Sequence, residues 1–278
     1  MALSYVENDL MRCYNANCCD VMDEMAENGV GVDLTVTSPP YDNLRDYNNS
    51  SSWNFEVFKE VAKRLYNITN DGGVLVWVVG DACINGSETG SSFRQALYFM
   101  ELGFKLHDTM IYEKNSSAFP AKRDSKRYTQ IFEYMFVFVK GKIHDCTLIS
   151  DKPNKWVGHT NWGTKTHYNK EGELVQTSKI KPIPEFSLRN NIWKYSVGFN
   201  TKKFGVHPAV FPIQLAMDHI LSWSTDEHVI FDPFLGSGTT MDACVKTGRK
   251  RFIGCEIDAS YFEIISKKME FYKEGGTL

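Results

Sequence analysis

The chain has 278 residues, 42% hydrophobic and 13% aromatic, which suits one large α/β domain or a core domain carrying a smaller lobe. No segment approaches the roughly 20 uninterrupted apolar residues of a membrane span. Glu7 and Asp9 near the N-terminus argue against a secretory signal, so a cytoplasmic protein is expected. The net charge of −3 argues against a nucleic-acid partner until its distribution is read. Residues 114–203 hold 17 Lys and Arg against 7 Asp and Glu, and the remainder holds 14 against 27. A basic middle in an acidic chain suits a surface that faces phosphates, although a solvated basic loop region has the same composition. The seven cysteines (13, 18, 19, 83, 146, 244 and 255) are odd in number and show no CxxC pair. They read as reduced thiols in or near the core, with no metal.

In chain order, residues 33–37 form a β-branched run that stops at Ser38-Pro39-Pro40, as a strand ending in a loop. Apolar positions 55, 58, 61, 62, 65 and 68 predict an amphipathic helix over 54–69. Gly72-Gly73 then introduces the apolar run 74–79, a strand covered on both faces. A helix over 93–102, a strand over 106–112 and a strand over 131–139 follow. From Gly141 to about Thr201 no period survives, which suggests an irregular lobe or inserted module. Alternation resumes with a helix after Pro212, a strand at 229–231, a helix from Thr239, a strand at 252–254 and a C-terminal helix from Ser260. Alternating strands and helices indicate a mostly parallel α/β sheet.

Two loops carry chemistry. Asp232-Pro233-Phe234-Leu235-Gly236-Ser237-Gly238-Thr239-Thr240 lies between a predicted strand and a predicted helix, where parallel sheets bind ligands. Its glycines allow a tight turn and close approach of a ligand to backbone. The hydroxyls of Thr239 and Thr240, with the helix N-terminus, are placed to receive a carboxylate. Glu256 closes the next strand, where an acid can accept both hydroxyls of a ribose. A nucleoside with an anionic tail fits this set. A dinucleotide fits less well, because Met241 replaces the third glycine of that fingerprint, and no P-loop ending is present.

The other loop is Thr37-Ser38-Pro39-Pro40-Tyr41. Consecutive prolines remove two donors and fix two φ angles, leaving rigid carbonyl acceptors. An exocyclic amino group is a poor nucleophile because its lone pair is delocalised into the ring. Acceptance of its hydrogens by Ser38 Oγ and a proline carbonyl would free that lone pair, while Tyr41 stacks on a flipped base. Methyl transfer from a sulfonium would then depend on positioning and electrostatics.

Ser-Pro-Pro-Tyr paired with Asp-Pro-Phe-x-Gly-Ser-Gly-Thr-Thr resembles the DNA amino methyltransferases of restriction–modification systems. The order, with the catalytic motif first, a basic variable region next and the cofactor motif last, resembles their β class. The resemblance implies a Rossmann-like class I fold dependent on S-adenosylmethionine, with helices on both faces of a mostly parallel sheet and a circularly permuted motif order. It implies a catalytic part over 1–141, a target-recognition insertion over 142–200 and a cofactor-binding part over 201–278.

His207, Pro208, Phe211 and Pro212 match the family segment that packs on the methionine end of the cofactor. Phe252 to Asp258 match its ribose-binding strand, with Glu256 and Asp258. Asp232, Phe234, Gly236, Ser237, Gly238, Thr239 and Thr240 match the cofactor loop. Cys18-Cys19-Asp20 matches the remaining cofactor strand, which implies contact of Asp20 with the adenine amino group; read unaided, Asp20 serves equally as a helix N-cap. Residues 133–141 resemble a strand of the base pocket.

Arg45, Lys122, Arg123, Lys126 and Arg127 are candidate DNA contacts. Ser38 favours cytosine N4 as the methylated atom, with adenine N6 as the alternative. A nicotinamide-dependent oxidoreductase and a non-catalytic DNA-binding shell are the readings outside this class. Neither gives Ser38 and Tyr41 a role. Double-stranded DNA is the expected partner, with a cognate restriction endonuclease as a further candidate, and the chain suits a monomer or a homodimer.

Overall fold

The computed structural model describes residues 3–8, 11–40, 53–115, 126–144, 146–160, 165–177, 181–196 and 212–276. A hairpin of β1 (Tyr5–Glu7) and β2 (Met11–Asn15) opens the chain and leads into α1 (Cys18–Glu27), β3 (Val32–Thr37) and α2 (Phe55–Ile68). Next come β4 (Thr69–Val79), a small ribbon of β5 (Cys83–Ile84) and β6 (Ser87–Glu88), α3 (Ser91–Glu101), β7 (Phe104–Lys114) and β8 (Phe132–Lys140). The middle holds β9 (Ser150–Pro153), β10 (Lys165–Tyr168), β11 (Leu174–Thr177), β12 (Phe186–Leu188) and β13 (Ile192–Tyr195). The chain closes with α4 (Ile213–Trp223), β14 (Ile230–Asp232), α5 (Thr239–Lys246), β15 (Phe252–Glu256) and α6 (Ala259–Lys273).

Two compact units result: Met1–Thr147 with Asn191–Leu278, and Leu148–Asn190. The larger is built on a nine-stranded sheet in the order β1-β2-β15-β14-β3-β4-β8-β7-β13. Strands β2, β15, β14, β3 and β4 run parallel to one another, and β8 runs antiparallel to both of its neighbours. Period sets the faces. Leu75, Trp77 and Val79 of β4 point with Phe136 and Phe138 of β8 into a core shared with α1, α2 and α3. Phe58, Trp77 and Phe99 are fully buried there and meet edge to face at 5.1–5.8 Å. Helices α4 and α5 pack on each other and on β3 and β15 respectively, so helices cover both faces.

The smaller unit consists of two antiparallel ribbons, β9 with β12 and β10 with β11. Arg189 Nε donates to both carboxylate oxygens of Asp151 at 3.0 and 3.1 Å and fastens the first ribbon. These strands have only three or four residues, and β9 is exposed on both faces, so no hydrophobic alternation marks it in the sequence. Strand β13, within the same unpatterned stretch, pairs with β7 at the edge of the large sheet.

The cysteines are all unpaired, with Cys13, Cys18, Cys244 and Cys255 buried and Cys83 and Cys146 exposed. Among the described residues no helix is long and apolar enough to cross a membrane, and no group of three or more His, Cys, Asp and Glu could hold a metal ion.

Candidate active site

The parallel strands β2, β15, β14, β3 and β4 all end on one edge of the sheet. From β14 the chain winds through α5 to β15 on one side, and from β3 through α2 to β4 on the other. The crevice beyond β14 and β3, where the winding reverses, is where α/β sheets take their ligands. Both candidate loops start there.

They are joined at their bases. Thr37, the last residue of β3, donates from Oγ1 to Asp232 Oδ1 at 2.6 Å. Thr240 Oγ1 donates to Asp232 Oδ2 at 2.6 Å, and the Phe234 amide donates to Oδ1 at 3.0 Å. Asp232 is 1% exposed, and burial pushes its carboxyl up to about 6 against the pull of those three bonds. The hydroxyl of Thr240 is therefore committed inward, to Asp232 and more weakly to Val36 O at 3.4 Å. The sequence assigns this hydroxyl to a ligand carboxylate; here its proton goes to Asp232. Asp232 likewise faces inward and organises the loop. Thr239 is buried at the first position of α5.

Gly236 and Gly238 have φ of +56° and +92°, the left-handed region that a side chain strains. The Gly236 amide donates to Glu256 Oε2 at 2.7 Å and the Asp258 amide to Oε1 at 2.8 Å. Burial pushes the Glu256 carboxyl up to about 7, opposed by the bonds from Asp258 and Gly236. Two amides leave part of the acceptor capacity of this nine-tenths buried carboxylate unmet, which is the environment a vicinal diol would complete. Asn15, at the end of β2, donates to Glu256 O at 2.9 Å. Met241, in place of a dinucleotide fingerprint's third glycine, is fully buried against Cys13.

Asp258 caps α6, accepting from the amides of Ser260 and Tyr261 at 2.8 and 3.2 Å. Asn17, not Asp20, caps α1 and accepts from the Cys19 amide at 2.9 Å, which sets aside the N-cap reading of Asp20. Asp20 is exposed in the first turn of α1, beyond the end of β2 on the ligand edge.

Ser38 and Pro40 are half-buried and Pro39 buried, directly after β3. Pro212 is buried at the N-cap position of α4. Arg127 is tied to the β5–β6 ribbon through Gly86 O and through Glu88 at 3.8 Å, and Lys126 beside it is exposed. Tyr41, Arg45, Lys122, Arg123, His207, Pro208 and Phe211 lie outside the described residues.

Two contributors gave no sign of their role in the sequence. Thr37 opens the Thr37–Tyr41 segment with no function of its own there, and only its position on β3, beside β14, reveals its partner. Trp53, just before α2, sets its ring edge-on to Phe234 of the Asp232–Thr240 loop at 5.3 Å, with Trp77 beyond at 6.2 Å. An isolated tryptophan in a polar stretch gives no signal of that contact.

A sequence model of the family described as DNA methylase matches residues 32–267. The orphan methyltransferase M.BamHII of Bacillus amyloliquefaciens is 52% identical over 246 residues, covering 87% of this chain and 89% of the relative. Among solved structures, the cytosine-N4-specific PvuII DNA methyltransferase superposes with a TM-score of 0.63 at 17% identity, over 97% of this chain and 94% of that one. The M1.HpyAVI complex with S-adenosylmethionine gives 0.59 at 23% identity, over 94% and 100%. The family match runs from β3 into α6 and takes in both loops, and the chain belongs to the S-adenosylmethionine-dependent DNA amino methyltransferases, the N6/N4 DNA methylase family.

Proposed function

We propose that the chain methylates cytosine N4 in duplex DNA, with Ser38, Pro39, Pro40 and Tyr41 as the catalytic tetrad. The observation that carries this reading is the position of Ser38, one residue beyond a threonine that is hydrogen-bonded to the cofactor loop. A base amino group brought to Ser38 thereby lies beside the turn that holds the methyl donor. Bound S-adenosylmethionine supplies a sulfonium methyl group for in-line transfer. Glu256 accepts the ribose hydroxyls with the lone pairs its two amide bonds leave open. Gly236, Ser237 and Gly238 admit the cofactor close to backbone, Asp20 accepts from the adenine amino group, and the 207–212 segment covers the methionine end. Asp232, Thr240 and Asp258 act from within: the first two hold the loop to β3, and the third starts α6.

Ser38 accepts a hydrogen bond from the target amino group, which draws the nitrogen toward tetrahedral geometry. The base reaches it by leaving the stack, where Tyr41 holds its face. Residues 142–200, which contain the Leu148–Asn190 unit with Lys152, Lys155, Lys170 and Lys181, serve as the target-recognition region, and Lys122, Arg123, Lys126, Arg127 and Arg45 add phosphate contacts. A serine at the tetrad's first position supports cytosine; the PvuII enzyme is cytosine-N4-specific, whereas the relative YhdJ of Escherichia coli, 24% identical, is an adenine methyltransferase. Because M.BamHII is an orphan methyltransferase, we propose that the chain acts without a cognate endonuclease. Nucleoside digestion of DNA methylated by the purified protein tests the base. N4-methylcytosine is expected, and N6-methyladenine alone would overturn the assignment.

A further inference from the structure

Behind the cofactor turn lies a buried charged cluster that the reaction does not use. Lys268 of α6 is 5% exposed, and its ammonium donates to Asp242 Oδ2 at 2.6 Å and to the backbone carbonyl of Ser237 at 2.7 Å. Tyr272, one turn further along α6, donates to Asp242 Oδ1 at 2.7 Å. A Cβ on Gly238 would stand 3.7 Å from both Cδ and Nζ of Lys268, so the lysine stem runs directly under the turn. The Gly238 amide donates to Leu235 O at 2.9 Å. The Ser237–Gly238 peptide is thus held at both ends: its carbonyl by Lys268 and its N–H by Leu235.

A buried ion pair contributes little net stability compared with apolar groups of the same volume, because desolvation offsets the attraction. What such a pair does supply is direction. Lys268 has donors to spare and spends one on a carbonyl in the turn where Gly236 and Gly238 take left-handed backbone. Without that bond the peptide would be held only through its N–H, by Leu235 O.

We propose that Lys268 is a positioning residue for S-adenosylmethionine: by fixing the Ser237 carbonyl from behind, it sets the turn in the shape that receives the cofactor. The inference rests on reading Gly236–Gly238 as the cofactor turn. Asp242 holds the ammonium in place, and Tyr272 holds Asp242. The effect falls on cofactor affinity and leaves the methyl-transfer step unchanged.

Lys268→Met alone leaves the Asp242 charge buried without its counter-ion and can unfold the chain. The paired variant Lys268→Met/Asp242→Leu removes both charges and keeps the volume filled. It is expected to unfold within a few degrees of the parent in calorimetry without cofactor. By isothermal titration it should bind S-adenosylmethionine roughly tenfold more weakly, the cost of one lost charge-assisted hydrogen bond. The Gly238 amide should exchange hydrogen faster in the free protein, while kcat at saturating cofactor stays within about twofold. Lys267→Met, at an exposed neighbour paired with Glu263, should change none of these. Glu256→Ala serves as the reference. Loss of binding in Glu256→Ala with parental affinity in the paired variant overturns the role of Lys268 alone. Parental affinity in both overturns the assignment of the turn as well.

Discussion

Thr37 and Asp232, 195 residues apart in the chain, are joined side chain to side chain by a hydrogen bond of 2.6 Å. It links the residue before the tetrad to the first residue of the cofactor loop, across neighbouring strands β3 and β14. Thr37→Val keeps the shape and removes the donor. Expected are a loss of about 1–2 kcal/mol in urea unfolding and a fall in kcat larger than the rise in KM for the cofactor, because Thr240 and the Phe234 amide still hold Asp232. Equal kcat in variant and parent would remove the link from the mechanism.

Asp232 also predicts a pH dependence. Its carboxyl is raised by burial to about 6, so the folded chain binds this proton more tightly than the unfolded chain. The resulting stabilisation is complete below about pH 4 and is lost as pH rises through about 6. Asp232→Asn is neutral throughout. Its stability relative to the parent should therefore rise between pH 4 and 6.5, by up to about 3 kcal/mol, and stay level above. A flat difference across that window would show that the hydrogen bonds fully offset burial.

Glu256, raised by burial to about 7, should make cofactor binding pH-dependent. The carboxylate, not the acid, accepts two hydroxyls. Affinity is expected to be full above pH 8 and to weaken below 7, approaching about tenfold per pH unit. Glu256→Gln should bind weakly with no such slope, as calorimetric titration from pH 5.5 to 8.5 would reveal.

Ser38→Ala is expected to abolish methyl transfer, by at least about a hundredfold in kcat, while cofactor affinity stays within about twofold. Filter-bound label from the methyl group and equilibrium binding separate the two effects. Undiminished turnover would remove Ser38 from the chemistry.

Trp53 and Phe234 should be energetically coupled through their edge-to-face contact at 5.3 Å. A double-mutant cycle of Trp53→Ala and Phe234→Ala in denaturant unfolding is expected to give about 0.5–1.5 kcal/mol. Additive effects would mean that each ring contributes only its own burial.

Much of the site was legible because its signals are local. Proline at 39 and 40, glycine at 236 and 238, and an acid at a strand end each restrict backbone or charge within a few residues. The long helices and buried strands were legible from period: α2 starts within a residue of its expected position, and the run 74–79 is buried throughout within β4. Strand β1 and the ribbons β9–β12 were not, because strands of three or four residues, largely exposed, bury too little to leave a pattern.

By itself, then, the sequence determined the α/β class, the two loops and their order, since each follows from neighbouring residues. Tertiary structure alone decided how side chains with several available partners would spend them. The Thr240 hydroxyl could face a ligand or Asp232, Lys268 could face water or Ser237, and Asp20 could cap a helix that Asn17 caps instead. Such choices depend on which strands lie side by side and on what is buried between them, and pairings such as Thr37 with Asp232 arise only when distant segments pack together.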